Sequence, residues 1–237
     1  MPMTLRLSHR RGGWLVRTLC IPALLVGAPP ALGEGDIRTV ETRIISMERN
    51  PERTRPTHEL RIALYGFSGT RWSTAQIFAA AREGSRLLEQ CGVTVVHAEL
   101  KMLEAPRRFR YYDTPVSREL LRQIKVAKPA IFFVEDTLNN PAFDAEAIGR
   151  ENATTQPELT DTIWIAYDAR DLPQTFAHEL VHVLSDDGEH SSEPGNLMRA
   201  HTSRRNIRLT GAQCARLRSR GEANGLLSRR VQASGAE

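Results

Sequence analysis

The chain has 237 residues, 41% hydrophobic and 25% charged, the balance of a soluble globular protein with one domain of ordinary size. Its formal charge of +4 is uneven: Arg6, Arg10, Arg11 and Arg17 stand in the first 33 residues without an acid, leaving 28 basic and 28 acidic side chains in the rest. A neutral body excludes an extended nucleic-acid surface.

Residues 1–33 read as a secretory signal peptide. A positive segment, MPMTLRLSHRRGGWLVR, precedes the apolar TLCIPALLVGAPPALG, with Ala31 and Gly33 framing a cleavage point. The apolar run is too short and too interrupted by proline to cross a bilayer. A protein released from such a leader is secreted or periplasmic, without stable membrane insertion. Residues 34–58 are charged and broken by Pro51 and Pro56, and suggest a flexible arm or short pro-segment. Residues 59–227 form the expected folded domain, with 228–237 as a disordered tail.

Within that domain LRIALYGF (60–67) predicts a strand, and 74–90 a helix, with Ile77, Ala80, Ala81, Leu87 and Leu88 at near-helical spacing and Gly92 beyond its end. VTVVHAEL (93–100) predicts a second strand, 116–126 a short helix, and AIFFVED (130–136) a strand buried on both faces. DAEAIGREN (144–152) suggests a weak edge strand, and DTIWIAYD (161–168) the last strand before a long helix. This order implies a mixed α/β (α+β) sheet with the helix on one face. Asp171 is placed to cap that helix with Gln174 as its reciprocal partner, and Pro173 is tolerated in the first turn. Cys91 and Cys214 are the two cysteines beyond the leader; a single disulfide between them suits an exported chain, two buried thiols being the alternative.

HELVHVLSDDGEH (178–190) carries the chemistry. His178 and His182 lie one helical turn apart on one side, while Phe176, Leu180, Val183 and Leu184 make an apolar side. Two neutral imidazoles on one helix hold two positions of a tetrahedral zinc at little entropic cost, and Glu179 falls beside the open position as a general base. The bare pattern also arises as a solvated polar face.

HELVHVL followed by HSSEPGNLM resembles the metzincins, zinc endopeptidases with the pattern HExxHxxGxxH and a methionine turn downstream. Within them it is most similar to the matrixin branch. In that pattern the third histidine follows the first by ten residues; here His190 follows His178 by twelve. Aligned backwards from Met198, eight residues after His190, the third ligand falls on His190 and the departure becomes a two-residue insertion in SDDG. Asp186 or Asp187 as third ligand is the alternative, and Gly188 is the candidate for the positive-φ turn. The resemblance implies a zincin-like, mostly parallel twisted sheet with an active-site helix. It implies a C-terminal helix at 208–221, where Thr210 and Gln213 form a capping signature and Cys214 could reach Cys91. It further implies one catalytic Zn²⁺ on His178, His182 and His190, Glu179 as catalytic residue, and Met198 as an apolar floor. Residues 144–150 and 194–200 become candidate substrate contacts. The function so implied is an exported, monomeric zinc endopeptidase. It would hydrolyse internal bonds of a protein or peptide substrate by Glu-assisted attack of a zinc-activated water. A gluzincin, with a later glutamate such as Glu193 or Glu222 as ligand, is one rival. The other is a non-catalytic, zinc-stabilised binding protein.

Overall fold

A computed structural model describes residues 36–45, 47 and 56–230; the expected signal peptide lies outside them. The chain alternates strands and helices: β1 (Arg38–Ile45), β2 (His58–Phe67), α1 (Thr74–Leu88), β3 (Val93–Glu104), α2 (Thr114–Gln123), β4 (Ala130–Val134), β5 (Ala145–Ile148), β6 (Thr162–Ala166), α3 (Leu172–Ser185), α4 (Gly211–Ala223) and β7 (Leu227–Arg229). The strands make one sheet in the order β1-β3-β2-β4-β6-β5, with β7 on β2. β3, β2, β4 and β6 run parallel to one another, whereas β1, β5 and β7 pair antiparallel to their neighbours. The result is the mixed α/β, mostly parallel twisted sheet with flanking helices.

The side-chain period of two divides the central strands between two cores. Leu60, Ile62 and Leu64 of β2, Ile131 and Phe133 of β4, and Ile163 and Ile165 of β6 face the layer holding α1, α3 and α4. Ala63, Tyr65 and Phe67, then Phe132 and Val134, then Trp164 face the layer containing Leu120 of α2. On that second face Tyr65, Phe132 and Trp164 stack across three neighbouring strands, at centroid spacings of 4.8 and 4.3 Å. Each such side chain taken fully out of water contributes about 1.5–3 kcal/mol.

α1 starts as a capping box, the Ser73 hydroxyl accepting from the Gln76 N–H while Gln76 reaches back to Ser73. It packs against α3 at Gly84, where an added Cβ would stand 2.7 Å from the Phe176 ring and 2.8 Å from the Pro173 carbonyl. A disulfide joins Cys91, after α1, to Cys214 on α4.

Three expectations need correction. Arg38–Ile45, inside the supposed flexible arm, is a strand paired with β3 from Arg38↔Glu104 to Ile45↔Ala98. Its side chains are nearly all exposed, so no buried face marks it in the sequence, and its partner lies more than fifty residues away. Likewise Ser228 and Arg229, assigned to a disordered tail, belong to β7 and pair with Glu59 and His58. Asp171 does precede α3, but in a left-handed conformation (φ 47°) without capping the helix; its carboxylate accepts from Arg204 Nε at 3.1 Å. The exposed arginine competes successfully for a carboxylate whose backbone turns it away from the helix amides.

Candidate metal centre and active-site cleft

α3 is buried on nearly every side, since Phe176, Ala177, Leu180, Val181, Val183 and Leu184 all enter the core. The apolar side fixes the rotation of the helix, and that rotation turns His178, Glu179 and His182 into an open cleft of about 1030 Å³. The His178 and His182 rings lie 4.6 Å apart between centroids. His190 completes the group, its ring 5.3 Å from that of His178 and 5.0 Å from that of His182. One ligand nitrogen from each of the three lies within 4.8 Å of the others.

Hydrogen bonding decides which nitrogens are free. His178 Nδ1 stands 2.8 Å from the Leu197 carbonyl and His182 Nδ1 2.5 Å from the Asp187 carbonyl. A carbonyl only accepts, so each Nδ1 carries the proton and each neutral ring leaves a bare lone pair on Nε2. Those two Nε2 atoms face each other at 2.9 Å. Two lone pairs without a proton between them repel, and a cation held jointly by both removes the conflict. The donor set of three imidazoles suits zinc, with the outer N–H of His178 and of His182 each oriented by a carbonyl oxygen. Burial holds the His178 imidazole down to about 4, with the adjacent histidines adding to the effect and the Leu197 carbonyl opposing it. Burial lowers His182 as well. Both rings are therefore neutral near pH 7, the state in which they bind a metal.

The longer connection from helix to third histidine is held at several points. Asp186, not Gly188, makes the left-handed turn (φ 47°). Its carboxylate accepts from the Arg150 and Glu151 backbone N–H groups at 2.8 and 3.3 Å, tying the end of α3 to the loop after β5. An aspartate tolerates this conformation because its short polar side chain bonds locally, here with two amides. Arg216 Nη1 of α4 meets the Asp187 carboxylate at 2.6 Å, and the Glu189 N–H donates to it at 2.9 Å. Both acids are thus occupied, and neither joins the imidazole group. Glu222 bonds His58 Nε2 at 3.0 Å and Arg229, while Glu193 is exposed in a turn; neither joins the group either.

Residues 190–198 close on themselves through the Ser191 N–H donating to the Met198 carbonyl at 2.6 Å. Met198 is 3% exposed and belongs to the helix-side core. Buried Asn196 accepts the Met198 N–H at 2.8 Å and exchanges side-chain hydrogen bonds with Gln213, itself in the capping box that starts α4. This places the neighbouring Leu197 carbonyl on His178. The two orienting carbonyls escaped the sequence reading because backbone acceptors have no sequence signature, and Asn196 because its partners, the Met198 N–H and Gln213, meet it only in the fold.

Glu179 is 7% exposed at the cleft. Burial pushes its carboxyl up to about 8, and the charge of Glu146 adds to this, while the Ala147 backbone N–H opposes it. A dication beside it would reverse that preference and favour the carboxylate. Of the stretches expected to contact substrate, Asp144–Ala147 and Gly149 line one wall. From 194–200 only Ala200 reaches the cleft, since Asn196, Leu197 and Met198 are buried.

The chain matches no protein-family profile and no curated protein. Among solved structures it is similar to metalloproteinase-II from Bacteroides fragilis, with TM-score 0.46 and 17% identity over 75% of this chain. That alignment spans 57% of the Bacteroides chain. It is also similar to archaemetzincin from Methanopyrus kandleri, with TM-score 0.48 and 13% identity, covering 69% of this chain and 96% of that one.

Proposed function

We propose that this protein is an exported zinc-dependent endopeptidase of the metzincin type, with matrixin-like spacing from His190 to Met198. The observation that carries the reading is the pair of facing, proton-free Nε2 atoms at 2.9 Å, joined by the His190 ring and adjoining a buried carboxyl in an open cleft. His178, His182 and His190 would hold one zinc ion. Bound there, zinc supplies Lewis acidity, acidifying a water and polarising a carbonyl.

Glu179 follows His178 directly on α3 and faces the same cleft. Its carboxylate takes a proton from the attacking water and returns it to the leaving amine nitrogen as the peptide C–N bond breaks. Among the described residues β5 ends the sheet, with β6 on one side alone, so its free edge can accept an extended peptide as a further strand. An open cleft bordered by an edge strand admits a chain that continues in both directions, as cleavage of internal bonds requires. The Cys91–Cys214 disulfide suits an oxidising compartment, in agreement with the reading of 1–33 as an export signal.

The test is zinc content together with casein digestion by wild type and Glu179→Ala. Zinc retained by both proteins, with digestion lost only in the variant, supports the proposal. Zinc in both without digestion by wild type refutes the peptidase.

A further inference from the structure

The cleft is already defined by its imidazoles; the remaining question is what chemistry of substrate its walls accept. The carboxylates there divide by whether a cation or amide occupies them. Asp168 meets Arg71 at 3.5 Å, Asp187 meets Arg216 at 2.6 Å, and Asp186 accepts two backbone N–H groups. Asp136 accepts the Thr137 N–H at 2.8 Å, whereas Asp144, Glu146 and Glu151 line the same cleft, and among the described residues none of these three has an ion pair. The lining holds one guanidinium, that of exposed Arg170.

This concentration of unpaired acid stands against a body whose 28 basic and 28 acidic residues beyond position 33 cancel. A concave wall of one sign focuses its field and raises the local concentration of the opposite charge. Glu146 is the best placed of the three. It is half-buried, it precedes Ala147, whose N–H is close to Glu179, and its charge is felt at Glu179 itself. Burial raises its carboxyl above the ordinary range, with no basic partner to offset the cost. The fold leaves this carboxyl half desolvated beside the candidate reaction centre, a state that a substrate cation relieves.

We infer that the cleft selects peptides carrying a lysine or arginine within a residue or two of the scissile bond, with Glu146 as the main determinant and Asp144 as its support. This rests on the peptidase reading for the word scissile but not for the binding preference. An ion pair at a partly desolvated carboxylate, reinforced by nearby charge of the same sign, amounts to about a tenfold preference over a neutral side chain of similar length.

The test uses the zinc-loaded full-length Glu179→Gln protein and fluorescein-labelled neutral nonapeptides differing only at the central residue: lysine, norleucine or glutamate. Fluorescence anisotropy should show the lysine peptide binding about tenfold tighter than norleucine, with glutamate weakest. The lysine advantage should shrink at high salt, because the Debye length falls to about 3 Å at 1 M. Adding Glu146→Gln should cut it to threefold or less, roughly, and Asp144→Asn, a second variant at an exposed position of the same wall, should reduce it in part. Equal affinities for the three peptides, absence of binding by all of them, or a lysine advantage untouched by both substitutions overturns the inference. Lysine-selective binding by this variant, alongside a wild type that cleaves no peptide, would uphold the inference while removing the peptidase.

Discussion

Asp186 combines two separable contributions, and substitutions there measure both. Its backbone is left-handed at φ 47°, and its Oδ1 accepts from the Arg150 and Glu151 amides, which begin the 3₁₀ turn after β5. Asp186→Ala removes the acceptor, at about 1–2 kcal/mol for a lost helix cap whose amides can turn to water. It also places an ordinary side chain in the left-handed region, for about 1 kcal/mol more. The sum of about 2–3 kcal/mol corresponds to a drop of about 5–10 °C in Tm for a domain of this size. Asp186→Gly loses the acceptor but tolerates the turn, so it should fall by only about 2–5 °C. Asp186→Asn keeps both an oxygen and the conformation, and should stay within about 2 °C of wild type. Circular-dichroism melts of the metal-free proteins read the series. An Ala variant that melts with wild type, or a Gly variant as weak as Ala, would refute the division into turn and cap.

In the metal-free protein His178 contributes stability that acid removes, while Glu179, its carboxyl raised to about 8, contributes in the opposite sense over the same range. The His178 value of about 4 in the folded state lies below the ordinary 6.5, so between these limits the unfolded chain binds more protons and stability rises with pH. The loss from this residue on going from pH 7 to pH 4 should reach about 3 kcal/mol, read by urea unfolding as the difference between wild type and His178→Gln, the variant losing less stability, or gaining more, over that range. Breaking the disulfide as Cys91→Ser with Cys214→Ser opens a loop closed across 123 residues of sequence. That should cost about 3–5 kcal/mol in the chain-entropy treatment, seen as a lower urea midpoint than in the oxidised wild type.

How much was legible in the sequence follows from which forces act locally. β2, β4 and β6 announced themselves because burial on both faces makes their residues apolar almost throughout, and α1 because Ile77, Ala80, Ala81, Leu87 and Leu88 recur at near-helical spacing before Gly92. β1 and β7 could not be read the same way. Their order comes from hydrogen bonds to distant strands, and charged residues such as Arg43 and Arg229 are no obstacle on an edge. The three histidines were found by spacing, with Met198 correcting the register across the insertion. What closes that insertion was not visible: the turn falls on Asp186, whose tolerance of the left-handed conformation depends on amides brought from β5 by the fold. Capping by Asp171 failed for a related reason, a remote Arg204 taking the carboxylate.

The central claim is that three imidazoles share one metal ion, and zinc K-edge X-ray absorption of the zinc-loaded protein tests it directly. Wild type should show three histidine nitrogens and one light oxygen donor at about 2.0–2.1 Å, without sulfur. His190→Ala should lose one imidazole from that shell. A spectrum unchanged by His190→Ala, or a shell without multiple imidazoles, would contradict the account.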